Sequence, residues 1–226
     1  MKKLFVIAAA MALITSCMHV NFNGGKPILC KGPVVEKEME GLSGFEGITA
    51  NGAIDIYFCQ GSTYSVQVKA NEEVFNYLDY RVEDGTLILG AKDNANIRAE
   101  EYKVNVTLPL VTQIQVNGAA DVRQVGEYSS DKEMSVRVNG AGDIDFKEKL
   151  SIPAIHINVN GAGDIRISDM DVDELVIKVN GAGDAVLGGK AASAHFSVNG
   201  AGDIDARGLE CNNVTTQKAG LASIRL

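Results

Sequence analysis

The pentapeptide Asn-Gly-Ala-Gly-Asp occurs four times, opening at Asn139, Asn160, Asn180 and Asn199. A near copy, Asn-Gly-Ala-Ala-Asp, opens at Asn117, and a more distant one, Asn-Gly-Ala-Ile-Asp, at Asn51. From Asn117 onward, each Asn-to-Asn step is one residue shorter than the step before it. A glycine turn recurring at fixed phase about every 20 residues is the mark of a stacked fold in which each unit contacts only its neighbours. The longer interval from Asn51 to Asn117 leaves room for three such periods.

The residues before each Asn alternate with period 2, as in a strand with one buried face. Val116, Val138, Val159, Val179 and Val198 form one apolar column. Ile114, Val136, Ile157, Ile177 and Phe196 form the next, and Met134, Ile155, Leu175 and Ala194 a third. Between them stand Gln115, Arg137, Asn158, Lys178 and Ser197, which should face outward, so Asn158 is expected to be exposed. After each Asp the alternation resumes, with Val122, Ile144, Ile165, Ala185 and Ile204 pointing inward, then Phe146, Ile167, Leu187 and Ala206, with Gln124 as the exception. Each repeat is therefore a strand, a tight turn and a second strand, followed by a variable return. Stacked in parallel about 4.8 Å apart, these units predict an all-β, right-handed β-helix-like solenoid. The interior series Met134 to Ala194 and Phe146 to Ala206 both shrink as the period shortens, as a tapering cross-section requires. Arg123, Asp145 and Arg166 alternate in sign at one outward position, so opposite charges should meet one rung apart.

The turn residues have structural roles. Asn139, Asn160, Asn180 and Asn199 precede Gly, tolerate unusual backbone angles, and carry amides that can bond along a stack. Gly140, Gly142, Gly161, Gly163, Gly181, Gly183, Gly200 and Gly202 admit positive φ and close stacking. Asp143, Asp164, Asp184 and Asp203 are expected to accept hydrogen bonds from the backbone of their own turns. Two alternatives draw on the same acids. Aligned carboxylates suit Ca²⁺, although the calcium β-roll repeats every nine residues. A β-helix carbohydrate enzyme would use Asp145 and Asp164 as acid and base, but it needs two unlike carboxylates and a sugar platform, and Trp is absent. His156 and His195 share an outward column with Val176 between them, roughly 9.6 Å apart by strand spacing and too far for one metal. No catalytic, metal or cofactor residues are assigned.

Residues 34–110 carry the pattern less regularly. Gly47–Asn51 and Ile54–Cys59 read as a strand–turn–strand unit, and Tyr64–Ala70 and Tyr102–Leu108 as strands. Asn71 should cap a short helix over Val74 to Leu78, with Glu72 and Glu73 in its first turn. Asp84-Gly85 marks a hairpin.

Residues 1–16 form a secretory signal: Lys2 and Lys3, then an apolar run from Leu4 to Ile14. Ile14-Thr15-Ser16-Cys17 resembles the bacterial lipobox, which makes Cys17 the expected lipidated N-terminus. Residues 17–33, with Gly24, Gly25, Pro27 and Pro33, are expected to be a tether, and 34–226 a single domain: an irregular half to 110 and regular repeats from 111. Without Lys2 and Lys3 the chain keeps 19 basic residues against 29 acidic, a net charge of −10, which argues against nucleic-acid partners. Beyond Cys17 there are three cysteines, Cys30, Cys59 and Cys211, and no CxxC pair.

These features, with Asn51–Asp55, the Asp84-Gly85-Thr86-Leu87 hairpin, Val106-Thr107-Leu108-Pro109 and every later repeat, resemble the putative auto-transporter adhesin, head GIN domain family of Bacteroidetes envelope lipoproteins, over about residues 40–222. The resemblance implies a β-helix-like solenoid exposed in the cell envelope; an outer-membrane lipid anchor is expected, with an envelope or surface protein or a glycan as partner, and since Met18-His19-Val20-Asn21 carries no acidic run, the surface and periplasmic faces both stay open. The resemblance carries no catalytic residues.

Overall fold

The computed structural model describes residues 26–226, and the expected signal and Cys17 lie outside them. The repeats build a β-solenoid. Its first column of strands runs through Gly47–Gly52, Gln113–Ala119 and Met134–Ala141 into the longer extended stretches Leu150–Ala162, Ile165–Ala182 and Ala185–Arg225. All pair in parallel with the turn motif in register, so that Asn51, Asn117, Asn139, Asn160, Asn180 and Asn199 align. A second column follows the turn, aligning Ile56, Val122, Ile144, Ile165 and Ala185. The apolar columns anticipated from the alternation are buried, from Val116 and Ile114 through Phe196 and Val198. The tapering series is buried as well, from Met134 and Phe146 to Ala194 and Ala206.

Four features depart from the sequence reading. The variable return is itself extended: Tyr128–Ser129 pairs with Leu150–Ser151, then Met170–Asp171, then Gly189–Lys190, giving each coil a third wall. Its apolar residues are too few per coil to show a period of their own. Second, the chain between Asn51 and Asn117 does not form three coils, since these two asparagines are direct neighbours. The intervening chain instead runs to the far side of the Asn51 coil. There Thr86–Ala91 and Tyr102–Leu108 lay down a further parallel rung beneath Gly47–Gly52 and Asp55–Gln60. Antiparallel strands cover that rung: Leu78–Glu83 on one wall, and Ser65–Asn71 followed by Val34–Glu38 on the other. The sheet path therefore ends at Val34–Glu38 and Leu78–Glu83, which are its edge strands.

Third, the short helix is a 3₁₀ turn, Glu72–Asn76, and Asn71 does not cap it. Asn71 is buried and bonds elsewhere, donating to the Gly32 carbonyl at 3.0 Å and accepting from the Glu100 and Glu101 N–H groups. Fourth, the segment expected as a tether is tied down from Ile28 onward. Ile28–Leu29 pairs with Ile97–Arg98, and Cys30 is buried. The Asp84-Gly85 hairpin forms as expected, with φ of 47° and 72° at its two turn residues.

Candidate functional site

The corner between the first and second walls carries two side-chain ladders. In the first, four Asn amides donate to the Asn one coil earlier: Asn117 to Asn51, Asn139 to Asn117 and Asn180 to Asn160 at 3.0 Å, and Asn160 to Asn139 at 2.9 Å. In-register parallel stacking makes this possible, because identical side chains recur at one strand spacing.

The second ladder corrects the expectation for the acids. Each Asp accepts from the backbone of the next coil, not of its own turn. The N–H groups of Asp143, Asp164, Asp184 and Asp203 donate to Oδ1 of Asp121, Asp143, Asp164 and Asp184 at 2.9, 2.9, 3.0 and 2.8 Å. The series begins with Asp121 on Asp55 and ends with Ser223 on Asp203, both at 3.2 Å. A carboxylate accepting a backbone N–H makes a charge-assisted bond, so the column links consecutive coils. On alternate coils an arginine takes the other oxygen. Arg123 reaches Asp121 at 2.6 Å, Arg166 reaches Asp164 at 2.8 Å, and Arg225 reaches Asp203 at 3.0 Å. Arg123 and Arg166 also lie 3.9 and 3.6 Å from the preceding Asp55 and Asp143.

Consequently the charge alternation along Arg123, Asp145 and Arg166 is in register but does not close as ion pairs. The arginines turn toward the corner, and Asp145 pairs with Lys147 at 2.8 Å. Asp145 and Asp164, the acid–base pair of the enzyme alternative, are engaged by different partners: Asp145 on the second wall by Lys147, and Asp164 at the corner by Arg166 and the Asp184 N–H. Among the described residues, no group of three or more His, Cys, Asp or Glu side chains is placed to hold a metal ion.

The turn glycines are crowded. Gly161 has φ of 144°, which side chains with a Cβ rarely adopt. At Gly163 the requirement is space, since a Cβ would overlap the carbonyl oxygen of Gly142 in the coil before.

Outward positions of the first wall form a second candidate site that the periodicity placed on the surface without singling out. Register sets Arg137, Asn158 and Lys178 in one column and Ser135, His156, Val176 and His195 in the next. All of these except His195 line a groove of about 430 Å³, together with Glu133. Asn158 is only half-exposed, a departure from expectation. The Asn158 Oδ1 and His156 Nε2 atoms are shielded from solvent and have no hydrogen-bond partner. On the second wall a larger hollow of about 600 Å³ is lined by Lys147, Arg166 and Arg207, each held in an ion pair. Cys30, Cys59 and Cys211 are all free thiols. Burial pushes the Cys30 thiol up, with Glu73 adding to the shift.

A family model described as putative auto-transporter adhesin, head GIN domain, matches the chain twice, over residues 44–145 and 134–226. Similar solved structures include a putative adhesin from Parabacteroides merdae, 22% identical with a TM-score of 0.79, covering 88% of this chain and 83% of that one. A putative adhesin from Parabacteroides distasonis is 20% identical with a TM-score of 0.79, covering 88% and 84%. A putative lipid binding protein from the same organism is 20% identical with a TM-score of 0.76, covering 88% and 96%. At these identities the likeness is one of fold. No curated protein matches the chain.

Proposed function

Because the chain belongs to the putative auto-transporter adhesin, head GIN domain family, we propose that it is a non-enzymatic, lipid-anchored module of the cell envelope that holds a binding surface away from the membrane. The observation that carries this reading is the state of the repeated acids. In every regular coil the Asp Oδ1 is engaged by the backbone of the next coil. The residues that look chemically loaded in the sequence are thus committed to stacking. A rigid stack suits a spacer, because its length is set by the number of coils and its outer walls can vary without disturbing the core. Anchoring is assigned to Cys17 from the lipobox-like Ile14-Thr15-Ser16-Cys17, with the outer membrane as the expected site. Several acyl chains on one residue anchor stably, at about 0.8 kcal/mol per buried methylene.

The test uses cells producing the full chain or its Cys17→Ser variant. Expected outcomes are envelope fractionation of the parent, release of the variant, antibody access to the solenoid on intact cells, and increased attachment to a mucin-coated surface. Antibody access only after permeabilisation would refute the surface-binding role. An envelope-bound Cys17→Ser protein would refute the anchor.

A further inference from the structure

On the groove of the first wall we infer a binding site for an acidic polysaccharide whose charges are sugar carboxylates. The inference rests on the surface-binding reading and supplies its ligand class. Three observations converge on it.

The first is unpaired positive charge. Within the coils from residue 111 onward, Arg123, Arg166, Arg207 and Arg225 are each ion-paired with an Asp. Among the described residues of these coils the cations without an ion pair are Arg137, Lys149, Lys178 and Lys218, and of these Arg137 and Lys178 line the groove, although the chain carries a net charge of −8 and acids are plentiful. Both project from the groove that holds the orphaned polar atoms.

The second is a pair of unpartnered atoms in the groove: Asn158 Oδ1, between those cations, and His156 Nε2, in the next column. Buried polar atoms in folded proteins find partners, so each exception calls for an explanation. Asn158 Oδ1 is an acceptor, and His156 Nε2 lies 4.0 Å from Glu174, beyond hydrogen-bond range. Side-chain rotation that uncovers these atoms lets sugar hydroxyls donate to Asn158 and either donate to or accept from the imidazole nitrogen. Glu133, which also lines the groove, can accept another hydroxyl. Val176, between the two histidines, offers an apolar patch for the C–H face of a sugar ring.

The third is spacing. Arg137 and Lys178 are two rungs apart with Asn158 between them, a separation of about 9.6 Å along the stack. A compact doubly charged anion such as phosphate would engage one cation and leave the other idle. A polyuronate laid along the solenoid axis offers carboxylates on separate sugars with hydroxyls between, which is the order of partners the groove presents. The Arg137 guanidinium can take a carboxylate in bidentate fashion.

Isothermal titration of the full chain in detergent with a galacturonate hexamer tests this, beside a neutral galactose hexamer and a sulfated hexamer as comparison probes. The uronate hexamer should bind, more weakly as salt is added, with the neutral hexamer at least about 100-fold weaker. Arg137→Gln and Lys178→Gln should each weaken binding about tenfold, as expected for loss of one charge-assisted contact. The double variant should lose it. Arg207→Gln, on the second wall, should bind like the parent, and the Arg137 and Lys178 variants should melt like the parent. No binding of the uronate hexamer, equal binding of the neutral one, preference for the sulfated one, or a double variant that binds normally would each overturn the inference. These outcomes leave antibody access on intact cells untouched, so failure of the ligand and failure of the surface role are separable.

Discussion

Gly163→Val probes the corner on which the stack depends. A Cβ at Gly163 overlaps the Gly142 carbonyl oxygen, which is backbone and cannot swing aside. The Asn160 coil must therefore lift away from the Asn139 coil at this corner. Three of the hydrogen bonds that cross between those coils flank Gly163 most closely: Asn160 to Asn139 at 2.9 Å, Gly142 N–H to the Ala162 carbonyl at 3.1 Å, and Asp164 N–H to Asp143 at 2.9 Å. At about 1 kcal/mol net for each bond, their loss destabilises the protein by about 3 kcal/mol. Ala162→Ser in the same turn, at an exposed position, should cost less than about 0.5 kcal/mol. With a urea slope of about 2 kcal/mol/M, the glycine variant should unfold about 1.5 M earlier than the parent. Equilibrium urea unfolding followed by circular dichroism reads the shift. A Gly163→Val midpoint within about 0.3 M of the parent would show that the coils separate without penalty, and the close-approach argument would fail.

Val159→Asp places an unpaired charge among fully buried neighbours and should cost more than about 4 kcal/mol. Asn158→Asp, one residue away on the outer face between Arg137 and Lys178, should change stability by less than about 1 kcal/mol, and equal urea midpoints for the two would refute the strand phase. The Arg207 guanidinium, hydrogen-bonded to Asp205, holds the Asp205 carboxyl at about 2, below its ordinary 3.8. A depressed carboxyl stabilises the fold above its unfolded value and loses that contribution as pH falls through about 2. Asp205→Asn should therefore melt below the parent at pH 7, and the two should converge as pH drops from about 4 to about 2. Millimolar Ca²⁺ should leave the thermal midpoint unchanged, because one oxygen of each Asp accepts a backbone N–H and arginines occupy the corner on alternate coils; a rise would revive the calcium reading.

The regular half was legible because its signals are local and repeated. Val138, Val159 and Val179 alternate with polar neighbours over a few residues, and the same phase returns in each coil, so inside and outside follow without knowledge of the partner strand. The Asn ladder was foreseeable for the same reason, since identical side chains in register must meet. The groove was half legible: the alternation set Arg137, Asn158 and Lys178 on one outer column, but not the shielding of Asn158 Oδ1 or the lack of ion pairs.

What the sequence determined by itself is the period, the buried columns and the corner at which each coil turns, because backbone alternation and glycine sterics act within a few residues. What only the tertiary structure decided is which coil lies against which. Asn51 touches Asn117 across a long intervening stretch, while the rung at Thr86–Ala91, far closer to Asn117 in the chain, lies on the opposite side of the Asn51 coil. The Asp column likewise takes its partner from the following coil, a choice no single turn contains. Parallel pairing is set by matching surfaces and register between strands, and lengthening the connecting loop costs only about 0.6 kcal/mol per doubling, so separation along the chain barely constrains it.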